Sequence, residues 1–274
     1  MRLKKTAMVM ASAALLAVAA CGGGGSGEGH GANPQDISEA GSAGTGRNPD
    51  ATAPAEPVDG ARKGGTLTVL SYTAPSTFDP TRAYYVDAGS ILSNLVTRAL
   101  TQYRYDPESK AMVLVPDMAT DLGTPNEDFT EWKFTLRDGL KYENGTPVEA
   151  EDVAYAIRRS FATKELPDGP TYNKTFFLDG DTYKGPYKDG DDYKGVEVDG
   201  DTITIKMRRP FADMPYLASF PQYTAIPKSA DKDPNAYGKH PMATGPYKFA
   251  DYKSGSRLTL VKNDQWDPET DTTR

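Results

Sequence analysis

The chain has 274 residues, with 38 acidic side chains against 31 Lys and Arg and a net charge of −7. Such a balance excludes a general nucleic-acid binder, which needs a basic surface to displace phosphate counterions. One Cys and two His exclude an intramolecular disulfide and a thiolate metal cluster, and leave little for a histidine relay or a histidine-rich metal site.

The first segment reads as a secretion signal. Arg2, Lys4 and Lys5 precede an apolar stretch over residues 7–20 that only Ser12 interrupts. It is too short to cross a bilayer core of about 30 Å as a helix, which takes roughly 20 residues. A charged start, a short apolar core and small residues before a cleavage point describe a signal peptide over residues 1–20. Val18-Ala19-Ala20-Cys21 resembles the bacterial lipobox, in which the Cys is diacylated and becomes the mature N-terminus. The alternative is an ordinary signal with an incidental Cys. Two acyl chains hold a protein at a membrane, whereas one, at about 0.8 kcal/mol per buried methylene, holds it marginally.

Residues 21–61 read as a tether. The segment is rich in Gly and Pro, has no aromatic residue, and carries only Ile37 and Val58 as larger aliphatics. It cannot offset the entropy of ordering its backbone. Six acids against Arg47 alone make it self-repelling and extended. Gly22 to Gly25 is no phosphate loop, because no strand precedes it and no helix follows.

From about residue 62, strand and helix signals alternate. Gly64-Gly65 releases Thr66-Leu67-Thr68-Val69-Leu70, an alternating run of β-formers, and Thr73-Ala74-Pro75-Ser76 turns the chain. Residues 87–100 predict a helix with Ala88, Leu92, Leu95 and Ala99 on one face. Val113-Leu114-Val115 before Pro116 predicts a short extended piece, and Trp132-Lys133-Phe134-Thr135-Leu136 a strand closed by the turn Asp138-Gly139. Thr146-Pro147-Val148-Glu149 has the form of a capping box, although Glu149 itself could open the helix. Val153, Ile157 and Phe161 then recur at helical spacing. The acid-rich stretch 179–201 lacks the alternation of a calcium loop and predicts a solvated loop. Val196-Glu197-Val198, Asp199-Gly200 and residues 202–207 predict a hairpin. Residues 245–249 and 258–261 predict two more strands, and the fold class is α+β with a mixed sheet.

Residues 132–162 are similar to the signature of the family 5 extracellular solute-binding proteins of ABC transporters, the oligopeptide-, dipeptide- and nickel-binding group. Leu136-Arg137-Asp138-Gly139, Tyr142, Gly145-Thr146-Pro147 and Ala150-Glu151-Asp152-Val153 fill its pattern. Gly64-Gly65-Thr66-Leu67, Phe78-Asp79-Pro80, Val115-Pro116-Asp117-Met118-Ala119, Thr244-Gly245-Pro246-Tyr247 and Trp266 follow in the family's order. The resemblance implies a periplasmic-binding-protein-like type II fold and a receptor that closes two lobes on a solute and hands it to a membrane permease. It divides the chain into an incomplete first lobe, residues 62–84 and 195–274, and an inserted small domain, residues 85–194. Family members continue past the Asn-x-x-Trp region, so the second lobe is expected to be absent and solute binding impaired.

The resemblance also places candidate ligand-facing residues where strands end at the cleft: Tyr72 and Thr73 after the first strand, Thr244 and Gly245 at the start of a later one, and Tyr223. Cys21 is the candidate lipidation site. Turn or packing roles are the alternative for each ligand-facing residue. Trp132, Arg137 and Asp152 read as structural. No metal or cofactor is implied, and the expected partners are permease subunits, a peptide or other small solute, and the membrane through the lipid alone. No His-Glu-x-x-His or Gly-x-Ser-x-Gly occurs, which argues against an enzyme. A surface scaffolding or adhesion lipoprotein fits the anchor and tether as well.

Overall fold

The computed structural model describes residues 46–108 and 110–273, so the signal peptide and Cys21 lie outside the described residues. The largest core forms around α2 (Ala150–Arg159) and a four-stranded sheet. That sheet contains β3 (Thr124–Pro125), β4 (Glu131–Thr135), β5 (Val196–Asp199) and β6 (Thr202–Lys206), in the order β3-β4-β6-β5. All three pairings are antiparallel, with Trp132 opposite Ile205 and Phe134 opposite Ile203. Alternation sets one face: Trp132 and Phe134 on β4, and Ile203 and Ile205 on β6, point into the core while their neighbours are more exposed.

Helix α2 covers that face. Glu149 is its N-cap, and a reciprocal capping box joins Glu149 to Asp152. Of the two starts the sequence allows, the later one is realised, because Pro147 and Val148 are used in the turn that pairs with Lys141 and Leu140. Val153, Ile157 and Phe161 are fully buried against Phe177, Ile203 and Ile205. Each such side chain contributes about 1.5–3 kcal/mol by leaving water. Arg158 and Arg159 fall in the last turn, where a cation suits the helix dipole.

Around this core lie shorter elements. α1 (Val86–Ile91) runs into a single π-helical turn, Leu92–Val96. β1 (Thr101–Asp106) and β2 (Ala111–Pro116) form one hairpin, and β7 (Tyr247–Lys253) and β8 (Arg257–Lys262) another. The short helices α3 (Tyr172–Phe176), α4 (Pro186–Asp189) and α5 (Met214–Leu217) complete the helical set. A second, smaller core joins Phe78, Leu92, Val96, Ala243 and Phe249, with Phe78 and Phe249 edge to face at 5.3 Å.

Three expectations are changed. Residues 66–70 do not form a strand among the described residues: Leu67 is 87% and Leu70 91% exposed, because no neighbouring strand takes up their backbone groups. The helix expected over 87–100 is α-helical only to Ile91, continues as the π-helical turn and ends at Val96, whose carbonyl is taken by the Thr244 and Gly245 amides instead of a later helical amide. The stretch 179–201 is more than a solvated loop, since its Tyr183 and Tyr193 are buried and stacked at 4.3 Å.

Candidate functional site

The expected ligand-facing residues separate into three environments. Tyr72 is 103% exposed and Thr73 is exposed beside it, with Ser71 Oγ donating to the Thr73 carbonyl at 2.6 Å. Both offer their side chains to solvent, and the strand expected to lead into them does not form. Cys21 lies outside the described residues.

Thr244 and Gly245 fasten the start of β7 to the π-helical turn. Both amides donate to the Val96 carbonyl, at 3.0 and 2.8 Å, and Thr244 Oγ1 accepts from the Arg98 amide at 3.0 Å. A Cβ on Gly245 would lie 2.9 Å from the Leu95 carbonyl oxygen. The close approach that a glycine permits is used here against the chain's own backbone. Asn263 donates its side-chain amide to the Gly245 carbonyl at 2.9 Å, which binds the end of β8 to the same point.

Tyr223 is in the main core. Its hydroxyl donates to Asn173 Oδ1 at 2.5 Å, and burial raises the phenol well above its ordinary value. It presents no surface to a solute. The structure therefore does not gather the five residues into one pocket.

The sequence reading did not find two buried arginine centres. Arg159 reaches Asp79 with Nη1 and Nη2 at 2.6 and 2.8 Å, Asp231 with Nε at 2.8 Å, and Thr81 Oγ1 at 2.7 Å. The Tyr155 hydroxyl donates to Asp231 at 2.9 Å, the Tyr187 hydroxyl donates to the same carboxylate, and the Tyr237 ring lies 5.2 Å from the guanidinium carbon. Burial opposes the charge on Asp231, but its hydrogen bond and attraction to Arg159 prevail and hold it below the usual carboxylate range. Arg98 forms the second centre, at 2.7 Å from Asp117, while Asp271 accepts from Trp266 Nε1 at 3.0 Å and sits 3.8 Å from Arg98. The one signal in the sequence for the first centre was Asp79 in the family motif Phe78-Asp79-Pro80.

Both centres fix the fold and leave no free base or nucleophile. His240 Nε2 and Glu143 Oε1 lie 2.6 Å apart on an exposed edge. Among the described residues no group of three or more His, Cys, Asp or Glu could hold a metal ion, and no helix is long and apolar enough to cross a membrane. A shallow cleft of about 380 Å³ lies over the signature turn, with Arg137, Lys141, Glu149 and Asp201 around an apolar floor. Its mixed charges select no one class of ligand.

Comparison with known proteins agrees with this architecture. The dipeptide-binding protein DppE of Bacillus subtilis (strain 168) is 27% identical over 208 residues, covering 74% of this chain and 37% of that protein. The oligopeptide-binding protein OppA of the same organism is 28% identical over 245 residues, 85% of this chain and 41% of that protein. Among solved structures, the clavulanic acid biosynthesis oligopeptide binding protein 2 superposes with a TM-score of 0.73 at 35% identity, covering 78% of this chain and 38% of its own. The chain thus spans about two-fifths of the length of the curated relatives it matches. The model for bacterial extracellular solute-binding proteins, family 5 Middle, matches residues 113–273, the stretch that holds the four-stranded sheet, α2 and the β7–β8 hairpin, and the chain belongs to that family.

Proposed function

We propose that this chain serves extracytoplasmic capture of a peptide-like solute and its delivery to the permease of an ABC importer. Family membership carries the reading, and the relatives named as dipeptide- and oligopeptide-binding proteins favour peptides within it. Neither arginine centre has a group poised for bond cleavage, so binding without catalysis is the chemistry proposed. Tyr72 and Thr73, exposed together, are the proposed contacts to the solute. Thr244 and Gly245 are proposed to act one step back, by fixing the strand start beside the π-helical turn.

The lipobox-like sequence supports a second part of the proposal: Cys21 is diacylated and holds the protein at the outer face of the bacterial cell membrane. Labelling cells with a clickable palmitate tests it, since Cys21→Ser should abolish incorporation.

Titration calorimetry of the purified chain with pools of short peptides tests the solute. Saturable heat that weakens in Tyr72→Ala supports peptide capture. Silence across peptides, amino acids and nickel, from a chain that circular dichroism reports as folded, would sink the proposal and favour a surface scaffold.

A further inference from the structure

Composition marks the whole of residues 21–61 as tether, yet part of it is bound to the fold. Residues 46–48 lie along the outer edge of β2, and after a turn at residues 49–50 the segment to Ala53 rests against the β1–β2 hairpin. Arg47 bridges to Leu114 in parallel register. The Asn48 amide donates to the Leu114 carbonyl at 2.8 Å, and the Leu114 amide donates to the Gly46 carbonyl. One residue of β2 thus gives both of its backbone groups to this segment. The Arg47 guanidinium lies over the Tyr216 ring at 4.6 Å and donates to the Ala212 carbonyl at 3.4 Å. Ala51 is buried against Val113 and Val115, and Arg104 on β1 donates to the Ala53 carbonyl at 3.2 Å. Beyond that the attachment ends, and residues 56–74 are exposed almost throughout.

We propose that this edge of β2 is a strand-docking site whose occupant is the chain's own residues 46–53, a strap that sets where the N-terminal spacer leaves the fold. Strand addition supplies affinity through main-chain bonds and specificity through side-chain seats. The register has a single solution. Arg47 is the one cation between residues 22 and 60, so a slip by one position takes it off the Tyr216 ring and turns Ala51 out of its apolar seat. The strap also closes a loop. Residues 54–77 are held at one end by β2 and at the other by Phe78 in the second core, which keeps the unpaired β-forming residues 66–70 close to the fold. The strap requires neither the lipid nor a solute, so it stands apart from the function proposed above.

Hydrogen exchange on the purified chain, read by mass spectrometry with fragmentation to single amides, tests the strap. In the wild type, the Asn48 and Leu114 amides should exchange at least about tenfold more slowly than those of residues 56–61. Arg47→Ala should speed both by about tenfold, the loss of a partly desolvated cation–π contact, while the β4–β6 amides stay protected and report an intact fold. Arg47→Lys should retain part of the protection. An Asn48 amide that exchanges as fast as residues 56–61 in the wild type overturns the proposal. So does a Leu114 amide whose protection survives deletion of residues 46–53.

Discussion

Arg159 and Asp79 stand eighty positions apart in the chain and meet as a two-pronged pair, Nη1 to Oδ1 at 2.6 Å and Nη2 to Oδ2 at 2.8 Å. The fork ties the end of α2 to the segment that enters the second core through Phe78. A bidentate pair needs the planar guanidinium, so lysine is no equivalent here. Removing the cation strands two buried carboxylates, Asp79 and Asp231. Arg159→Met should therefore cost about 3–5 kcal/mol in urea unfolding, and Arg159→Lys should recover only part of it.

The same centre sets an acid limit. Asp231 is held below its ordinary carboxyl value because the hydrogen bond and charge of Arg159 outweigh burial. A folded-state value below the unfolded one gives stability that is complete above the unfolded value and is lost as pH falls through the folded one. Asp152 works in the opposite sense, since burial raises it and its protonation favours the fold. Unfolding measured from about pH 5 down to pH 2 should show falling stability in the wild type. Asp231→Asn should be weaker at neutral pH and show a flatter acid slope.

Gly245→Ala probes the contact between β7 and the π-helical turn. The new methyl would meet the Leu95 oxygen at 2.9 Å and the Val96 carbonyl at 3.1 Å, all main-chain atoms that cannot swing aside. Thermal unfolding should report a loss of about 1–3 kcal/mol.

Tyr72 and Tyr223 separate solute contact from packing. Tyr72→Ala, at a fully exposed side chain, should leave the melting temperature unchanged and weaken peptide binding. Tyr223→Phe removes the donor to Asn173 in a dry site and should lower stability by about 1–3 kcal/mol. Its effect on peptide affinity should be nil.

Features written in adjacent residues were legible in the sequence. The start of α2, with Glu149 and Asp152 capping each other, and the β5–β6 turn, where Gly200 takes a positive φ of 56°, each lie within a few positions. The β4 alternation was equally plain. Features decided at a distance were not. The helix reading ran through to Leu100, past the real end at Val96, because the Val96 carbonyl is taken by Thr244 and Gly245, far along the chain. Residues 66–70 carry a sound strand pattern, but a strand is made by its neighbour, and none of the described residues pairs with it. Tyr223 followed a Pro-Gln step that reads as surface turn, while its ring is seated by Asn173 on α3. Of the candidate site, Tyr72 and Thr73 were expected to follow a strand that does not form, and the arginine centres escaped notice because their carboxylates, Asp79, Asp117, Asp231 and Asp271, come from four separated segments.

The order β3-β4-β6-β5 has a cost in time as well as in topology. Strand β4 leaves the ribosome with only the two-residue β3 beside it, and β6 follows roughly 70 residues later, an interval of several seconds at about 5–20 residues per second. Throughout that wait Trp132 and Phe134 lack their cross-strand partners Ile205 and Ile203, and only α2 can cover them. The sheet therefore cannot be completed until residues 202–206 have been made, and until then the hold on its aromatic strand rests on a helix of ten residues.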